Sequence, residues 1–221
     1  MDWSPIFLTL KLAAVTTVLL FIICLPLAWW LAHSRFRGKP LVEALVSMPL
    51  VLPPSVLGFY LLITFSPENG LGHFLRETFG LHFVFSFEGL VLASLIYSLP
   101  FMVHPIQAGF QSLPTAYREV ATTLGKGKLE TLFRVLLPNM RGSLLTGIVL
   151  SFAHTTGEFG VVLMIGGNIE GETRVASIAV YDEMEAMHYG AAHEYALFLL
   201  LISFAILVTV YMVNKRLIRT F

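Results

Sequence analysis

Apolar residues run almost unbroken through five stretches of the chain, and polar residues gather between them. The stretches are 6–32, 44–65, 89–111, 142–169 and 195–214, and the second, third and fifth contain no Asp, Glu, Lys or Arg. About 20 apolar residues of helix cover about 30 Å of hydrocarbon, so each stretch is long enough to cross a bilayer. Barrel strands would alternate apolar and polar side chains, whereas these runs are continuous, so the pattern predicts helices. The fourth stretch has 28 residues, which as one straight helix would measure about 42 Å. It holds Gly157, Gly160, Gly166 and Gly167, so a break or a strong tilt is expected within it. Pro49, Pro53 and Pro54 predict a kink in the second stretch. The first stretch is too long for a signal peptide and lacks the small-residue cleavage pattern, so it is expected to be a retained helix.

Composition agrees with a membrane protein. Of 221 residues, 56% are hydrophobic and 13% charged, with a mean hydropathy of +0.78, against about a quarter charged in soluble domains. The net charge is zero, which argues against a nucleic-acid partner. The lone Cys24 can form neither an internal disulfide nor a Cys-rich metal site.

Charge also orders the loops. Arg35, Arg37, Lys39, Arg118, Lys126, Lys128, Arg134, Arg141, Lys215, Arg216 and Arg219 all fall on one side if the five stretches alternate. The other side holds Arg76 and Arg174 with most of the acids, including Glu68, Glu77, Glu170, Glu172, Asp182, Glu183 and Glu185. Basic loops stay in the cytoplasm, so the N-terminus is expected outside and the C-terminus inside. The expected fold is an all-α polytopic bundle in one domain, 1–221, with a segment at 174–181 acting as a re-entrant piece or outer gate.

The longest basic loop, 112–141, is organised. Pro114 suits a first helical turn, a short helix is expected over 117–124, and Gly125 and Gly127 end it. Leu129, Leu132, Phe133, Leu136 and Leu137 then share one helical face, with Pro138 as the stop. Periodicity alone leaves open an interfacial helix lying on lipid.

Within this loop, Glu119-Val120-Ala121, three residues, Gly125, nine residues and Val135-Leu136-Leu137-Pro138 resemble the EAA loop of bacterial binding-protein-dependent ABC importer permeases. The family pattern is Glu-Ala-Ala, x3, Gly, x9, Ile-x-Leu-Pro; Val120 and Val135 depart from it. The stretches 49–58, 157–160 and 168–174 further resemble molybdate permeases, with versions of some in sulfate permeases, and the likeness runs from about Ser4 to the tail. The resemblance implies a type I importer made of two copies of this chain, two cytoplasmic ATPase subunits that bind ATP-Mg, and an external oxyanion-binding protein. It implies that Arg118, Glu119, Ala121, Gly125, Leu137 and Pro138 belong to the element that couples to the ATPase. No Walker A sequence is present, since Gly125-Lys126-Gly127-Lys128 lacks the spaced glycine, so the chain is expected to have no nucleotide site and no cofactor of its own.

Glu158 is the one acid inside an apolar stretch, which marks a functional candidate. An ionised Glu158 would repel an anion, so a gate or scaffold role, paired with Arg174 or helix N–H groups, is favoured over substrate contact. Thr155 and Thr156 are candidates for contacting oxyanion oxygens, with a hydroxyl bonded back to its own helix as the equal alternative. Gly157 and Gly160 complete the candidate pathway set. His104 and His154 are expected to be packing histidines. The resemblance implies molybdate as the first substrate, then tungstate or sulfate. An intramembrane enzyme or an ATP-independent channel is the reading from a different class; it lacks a Gly-x-Gly-Asp motif or an evident Ser–His pair.

Overall fold

In a computed structural model the chain is described over residues 2–218, with side chains described except at 210 and 213–218; Arg219 lies outside the described residues. The described residues are helical throughout, with no strand. The helices are α1 (Ser4–His33), α2 (Lys39–Val51), α3 (Pro54–Phe65), α4 (Gly70–Phe79), α5 (Phe87–Ser112), α6 (Ala116–Thr123), α7 (Lys128–Asn139), α8 (Arg141–Thr156), α9 (Gly160–Gly166), α10 (Ala176–Glu185) and α11 (Tyr189–Ile218). Among the described residues three helices are long and apolar enough to cross a membrane by themselves, and up to five spans result if each bent pair counts as one.

The centre is α5, packed against α1, α2, α8 and α9. Its fit to α8 rests on small residues: a Cβ on Gly109 would lie 2.6 Å from Ser143 Cβ, and one on Gly147 3.2 Å from the Met102 carbonyl oxygen. Such contacts let helix backbones approach where hydrophobic burial supplies little force. On α1 the buried positions Leu12, Ala13, Thr16, Leu20, Cys24, Ala28 and Leu31 recur every three to four residues, one stripe facing α5 and α8. Lys11 points its ammonium at the Phe87 ring, 4.3 Å from the centroid, so this charge is accommodated by an aromatic face.

Two cores stack along the bundle. One joins Leu31 of α1, Phe110 of α5, Leu136 of α7 and Met140, and so lies at the end carrying the basic loops. The other joins Leu12, Leu57, Leu61, Leu90, Val162 and Ile178. At that second end Ile6 packs on Ala176 and Ala179, and the Tyr195 hydroxyl donates to the Asp2 carbonyl at 2.9 Å. The N-terminus and the acidic stretch therefore share one end, opposite the basic loops, as the charge pattern requires.

One local expectation needs correction. The second stretch is not one kinked helix. α2 and α3 meet at 111°, because Pro53 and Pro54 in tandem remove two N–H donors and hold Leu52 and Pro53 extended, at ψ 135° and 134°. As expected, α7 ends at Pro138 to within one residue, at Asn139. Residues 132–136 form a π turn, with Leu137 N–H bonded to the Leu132 carbonyl, and a widened turn can admit a proline ring within a helix. The apolar face of α7 is only partly inserted. Leu136 is buried and Leu132 and Leu137 pack on the core, but Leu129 and Phe133 are exposed. Residues 174–181 lead into α10, which lies against α11 and α1. The break expected in the fourth stretch is present, between Thr156 and Gly160.

The loop before α5 is set by one glycine. Ser86 caps the helix by accepting from Gly89 N–H, and Phe85 N–H donates to the Ile165 carbonyl at 2.8 Å. A Cβ on Gly89 would lie 1.6 Å from the Phe83 carbonyl oxygen. Gly89→Ala is therefore expected to destabilise the protein by about 3 kcal/mol, the upper part of the overpacking range. The check is the thermal midpoint in detergent, and an unchanged midpoint would refute this account of the loop.

Candidate functional site

Two features of the fold stand out as sites: an elbow at the basic end and a cavity between two helix breaks. The elbow consists of α6 and α7. α6 closes with a Schellman pair: Gly125 N–H donates to the Thr122 carbonyl and Lys126 N–H to the Ala121 carbonyl, both at 2.9 Å. Gly125 sits at φ +73°, a conformation that costs an L-residue strain. A Cβ there would meet nothing, so backbone sign and not space selects glycine.

The far side of the turn is tied by Glu130, which accepts from Lys126 Nζ at 2.7 Å and Arg134 Nη1 at 2.9 Å. The Lys126 hydrogen bond first, then the charges of Lys126 and Arg134, hold the Glu130 carboxyl below the usual carboxylate range. The folded pKa lies below the unfolded one, so these bonds are fully present above the ordinary carboxylate range and disappear as pH falls through the lowered value.

Ala121 is buried at 4% exposure, α6 touches the π turn, and Leu137 packs on the core at the far end of α7 while Pro138 is exposed. Arg118 and Glu119 line an open hollow of about 550 Å³ with Thr115, Thr122 and Thr123. Tyr117, Val120 and Leu124 near the hollow's helix and Leu129 and Phe133 on α7 expose large apolar surface. The elbow is thus stiff within itself, anchored on one side and apolar with flanking charge on the other.

The cavity lies where the α2–α3 break meets the α8–α9 break. It measures about 560 Å³ and is lined by Pro54, Ser55, Tyr97, Ala153, His154, Gly157, Glu158, Phe159 and Gly160. The breaks touch because Gly160 has no side chain: a Cβ there would lie 2.9 Å from Pro54 Cβ. Glu158 is 4% exposed; its Oε2 accepts from Ser94 at 2.8 Å and its Oε1 has no partner among the described residues. Ser177 Oγ donates to the Glu158 carbonyl at 2.6 Å, tying the break to α10.

The pairing of Glu158 with Arg174 is not made. Arg174 turns to the acidic end, 3.2 Å from Asp182, 3.5 Å from Glu183 and 4.0 Å from Glu170. Nor do helix N–H groups reach the Glu158 side chain among the described residues. Thr155 and Thr156 are buried. Thr156 Oγ1 donates back to the Phe152 carbonyl at 2.8 Å, and Thr155 Oγ1 lies 3.0 Å from Ser98 Oγ on α5, so neither lines the cavity. Ser55, Tyr97 and Ser94 were missed in the sequence, where serines and tyrosines in apolar runs carry no periodic signal. His154 stacks on Phe101 with centroids 4.0 Å apart and bonds Ser98 through Nδ1 at 2.9 Å, and His104 Nε2 bonds Ser47 Oγ at 3.1 Å.

Residues 24–219 match the family described as binding-protein-dependent transport system inner membrane component. The chain belongs to this family. As an inner-membrane component of a binding-protein-dependent system it is a multi-pass transport subunit, not an enzyme. Among similar proteins, the molybdenum transport system permease protein ModB of Azotobacter vinelandii is 49% identical over 95% of this chain and 93% of its own length. The sulfate transport system permease protein CysT of Salmonella typhimurium is 33% identical over 94% of this chain and 75% of its own. Among solved structures, a bacterial ABC transporter involved in import of the polysaccharide alginate shares the fold, with TM-score 0.79 at 17% identity, over 96% of this chain and 78% of that one. The inner-membrane component thus has the type I importer fold.

Proposed function

We propose that this inner-membrane component forms, as a pair of identical chains, the translocation path for molybdate, driven by two ATPase subunits docked on the elbow from the cytoplasm. The observation that carries the coupling is the elbow itself. Its apolar residues Val120, Leu124, Leu129 and Phe133 are exposed beside Arg118 and Glu119, while Leu136 is rooted in the core next to α1 and α5. A buried apolar centre with a charged rim is the composition of a protein interface. Closure of the ATPase pair moves the two elbows as rigid bodies, and the roots carry that movement into the spans. The path passes the break at 157–160, with Gly157, Glu158 and Gly160 at its wall and Arg174, held by three carboxylates, fixing the outer end. An external binding protein delivers the anion there, and the Glu119-to-Pro138 spacing is what supports assigning these roles to this chain.

The 49% identity to a molybdenum permease supports molybdate. The 33% identity to a sulfate permease favours sulfate as the second reading. The two are separated by reconstituting this chain with its ATPase and binding protein in proteoliposomes and measuring labelled molybdate uptake. The expected result is ATP-dependent uptake competed by tungstate and untouched by a large excess of sulfate. Equal competition by sulfate would move the assignment to a sulfate permease.

A further inference from the structure

The cavity between the two helix breaks carries more than a gate. We propose that it is a transit site where a tetrahedral oxyanion is held by uncharged hydrogen-bond donors, with Glu158 serving as a neutral acid that donates to the anion. This rests on the reading of the chain as an oxyanion permease.

Three donor residues line the cavity. The first is the start of α3, a helix of 12 residues. Pro54 has no N–H, and Val56 and Leu57 both bond to the Pro53 carbonyl. Ser55 N–H is therefore left without a partner among the described residues, with its own hydroxyl beside it. The bare Cα of Gly160 keeps this N–H uncovered: a Cβ there would sit 3.5 Å from Ser55 N and 2.9 Å from Pro54 Cβ.

The second donor is His154. Thr155 Oγ1, Ser98 Oγ and His154 Nδ1 form a chain at 3.0 and 2.9 Å. Run from Thr155 to Ser98 to His154, every hydroxyl proton has an acceptor. Run the other way, the Thr155 proton has none among the described residues. The satisfied direction makes Nδ1 an acceptor and leaves the proton on Nε2. His154 lines the cavity, and its Nε2 makes no hydrogen bond among the described residues.

The third is Glu158. No Lys, Arg or His lies within ion-pair distance of it among the described residues, and Ser94 gives its carboxyl a single donor bond. A buried bare carboxylate with one hydrogen bond is far costlier than the protonated acid. As the acid, Oε2 accepts from Ser94 and the orphaned Oε1 becomes an O–H without an acceptor. An oxyanion oxygen supplies that acceptor once the carboxyl, whose Oε1 is covered in the empty cavity, turns toward it, which removes the repulsion that argued against substrate contact. Three donors without a formal cation also suit passage, because an anion must leave such a site as readily as it enters.

The test uses the full complex with ATPase and binding protein in proteoliposomes, reading molybdate uptake and ATPase stimulation separately. Wild-type uptake tests the permease reading alone, and variants test the site. Glu158→Gln keeps an acceptor for Ser94 and an N–H for the anion, and is expected to transport several-fold faster than Glu158→Ala. Glu158→Ala and His154→Phe are expected to lose uptake about tenfold, each for one hydrogen bond to a charged group, while loaded binding protein still stimulates ATP hydrolysis. His154→Gln, with an amide N–H near the Nε2 position, is expected to recover most of the loss. Glu158→Gln as inactive as Glu158→Ala would show that the charge is needed and overturn the proposal. Full uptake by His154→Phe would overturn it as well. Loss of ATPase stimulation together with uptake in Glu158→Ala and His154→Phe would make these residues structural and count against a transit site.

Discussion

Gly125→Val is expected to cut ATP-driven uptake at least about tenfold, whereas Gly125→Asn is expected to keep most of it, because a left-handed residue costs about 1–3 kcal/mol when β-branched and far less as Asn. The space around Gly125 is open, so bulk is not at issue. What valine loses is the φ of +73° that lets Gly125 and Lys126 donate to the Thr122 and Ala121 carbonyls. Without that turn the direction of α7 relative to α6 is no longer fixed, and force on α6 is dissipated before it reaches Leu136. Gly127→Ala is the control. Gly127 has an ordinary φ of −69° and open surroundings, so uptake is expected to be unchanged. The assay is uptake against ATP hydrolysis in the same proteoliposomes. Equal activity of the valine and asparagine variants would remove the turn from the coupling path.

The second large effect lies in the spans. Gly58→Leu is expected to destabilise the protein by more than about 3 kcal/mol, beyond ordinary overpacking, and to prevent recovery of a folded complex. A Cβ at residue 58 would lie 2.7 Å from Met164 Cβ and 3.1 Å from Val161 Cα. The obstacles are backbone and Cβ atoms, so α3 and α9 must separate and open the Leu57–Val161–Ile165 core. Met164→Ala keeps the obstructing Cβ and is not expected to rescue the variant. Rescue, read by thermal unfolding in detergent, would mean that a flexible side chain and not the helix pair sets the limit.

The sequence made the spans legible because hydrocarbon imposes one length and one composition on a crossing helix, and loop charge then fixed which ends lie together. The same property hid the rest. Inside the bilayer nearly every residue is apolar, so no periodicity marked which face of 44–65 turns inward, and the 111° corner at Pro53-Pro54 read as a kink. α4 escaped notice because ten residues between spans carry no length signal. In the elbow, Glu119, Gly125 and Pro138 were found by spacing, and Gly125 proved to be a backbone requirement. Pro138 marks the end of the helix to within one residue, but the π turn before it had no signal in the sequence. At the cavity, Glu158 was conspicuous as a lone acid, but Ser94 lies 64 residues away, a pairing that only the fold reveals. Arg174 was matched with the wrong acid for the same reason: Asp182 and Glu183 reach it through the return of α10.

The account turns on the elbow moving with the nucleotide state. Lys128 is exposed on α7, and the native Cys24 is fully buried and will not take a label. In the proposed assembly of two copies with their ATPases, a spin label at Lys128→Cys reports the distance between the elbows. ATP binding is expected to bring the labels several ångströms closer, and hydrolysis to release them. The same distance with and without ATP, in a complex that still imports its anion, would contradict it.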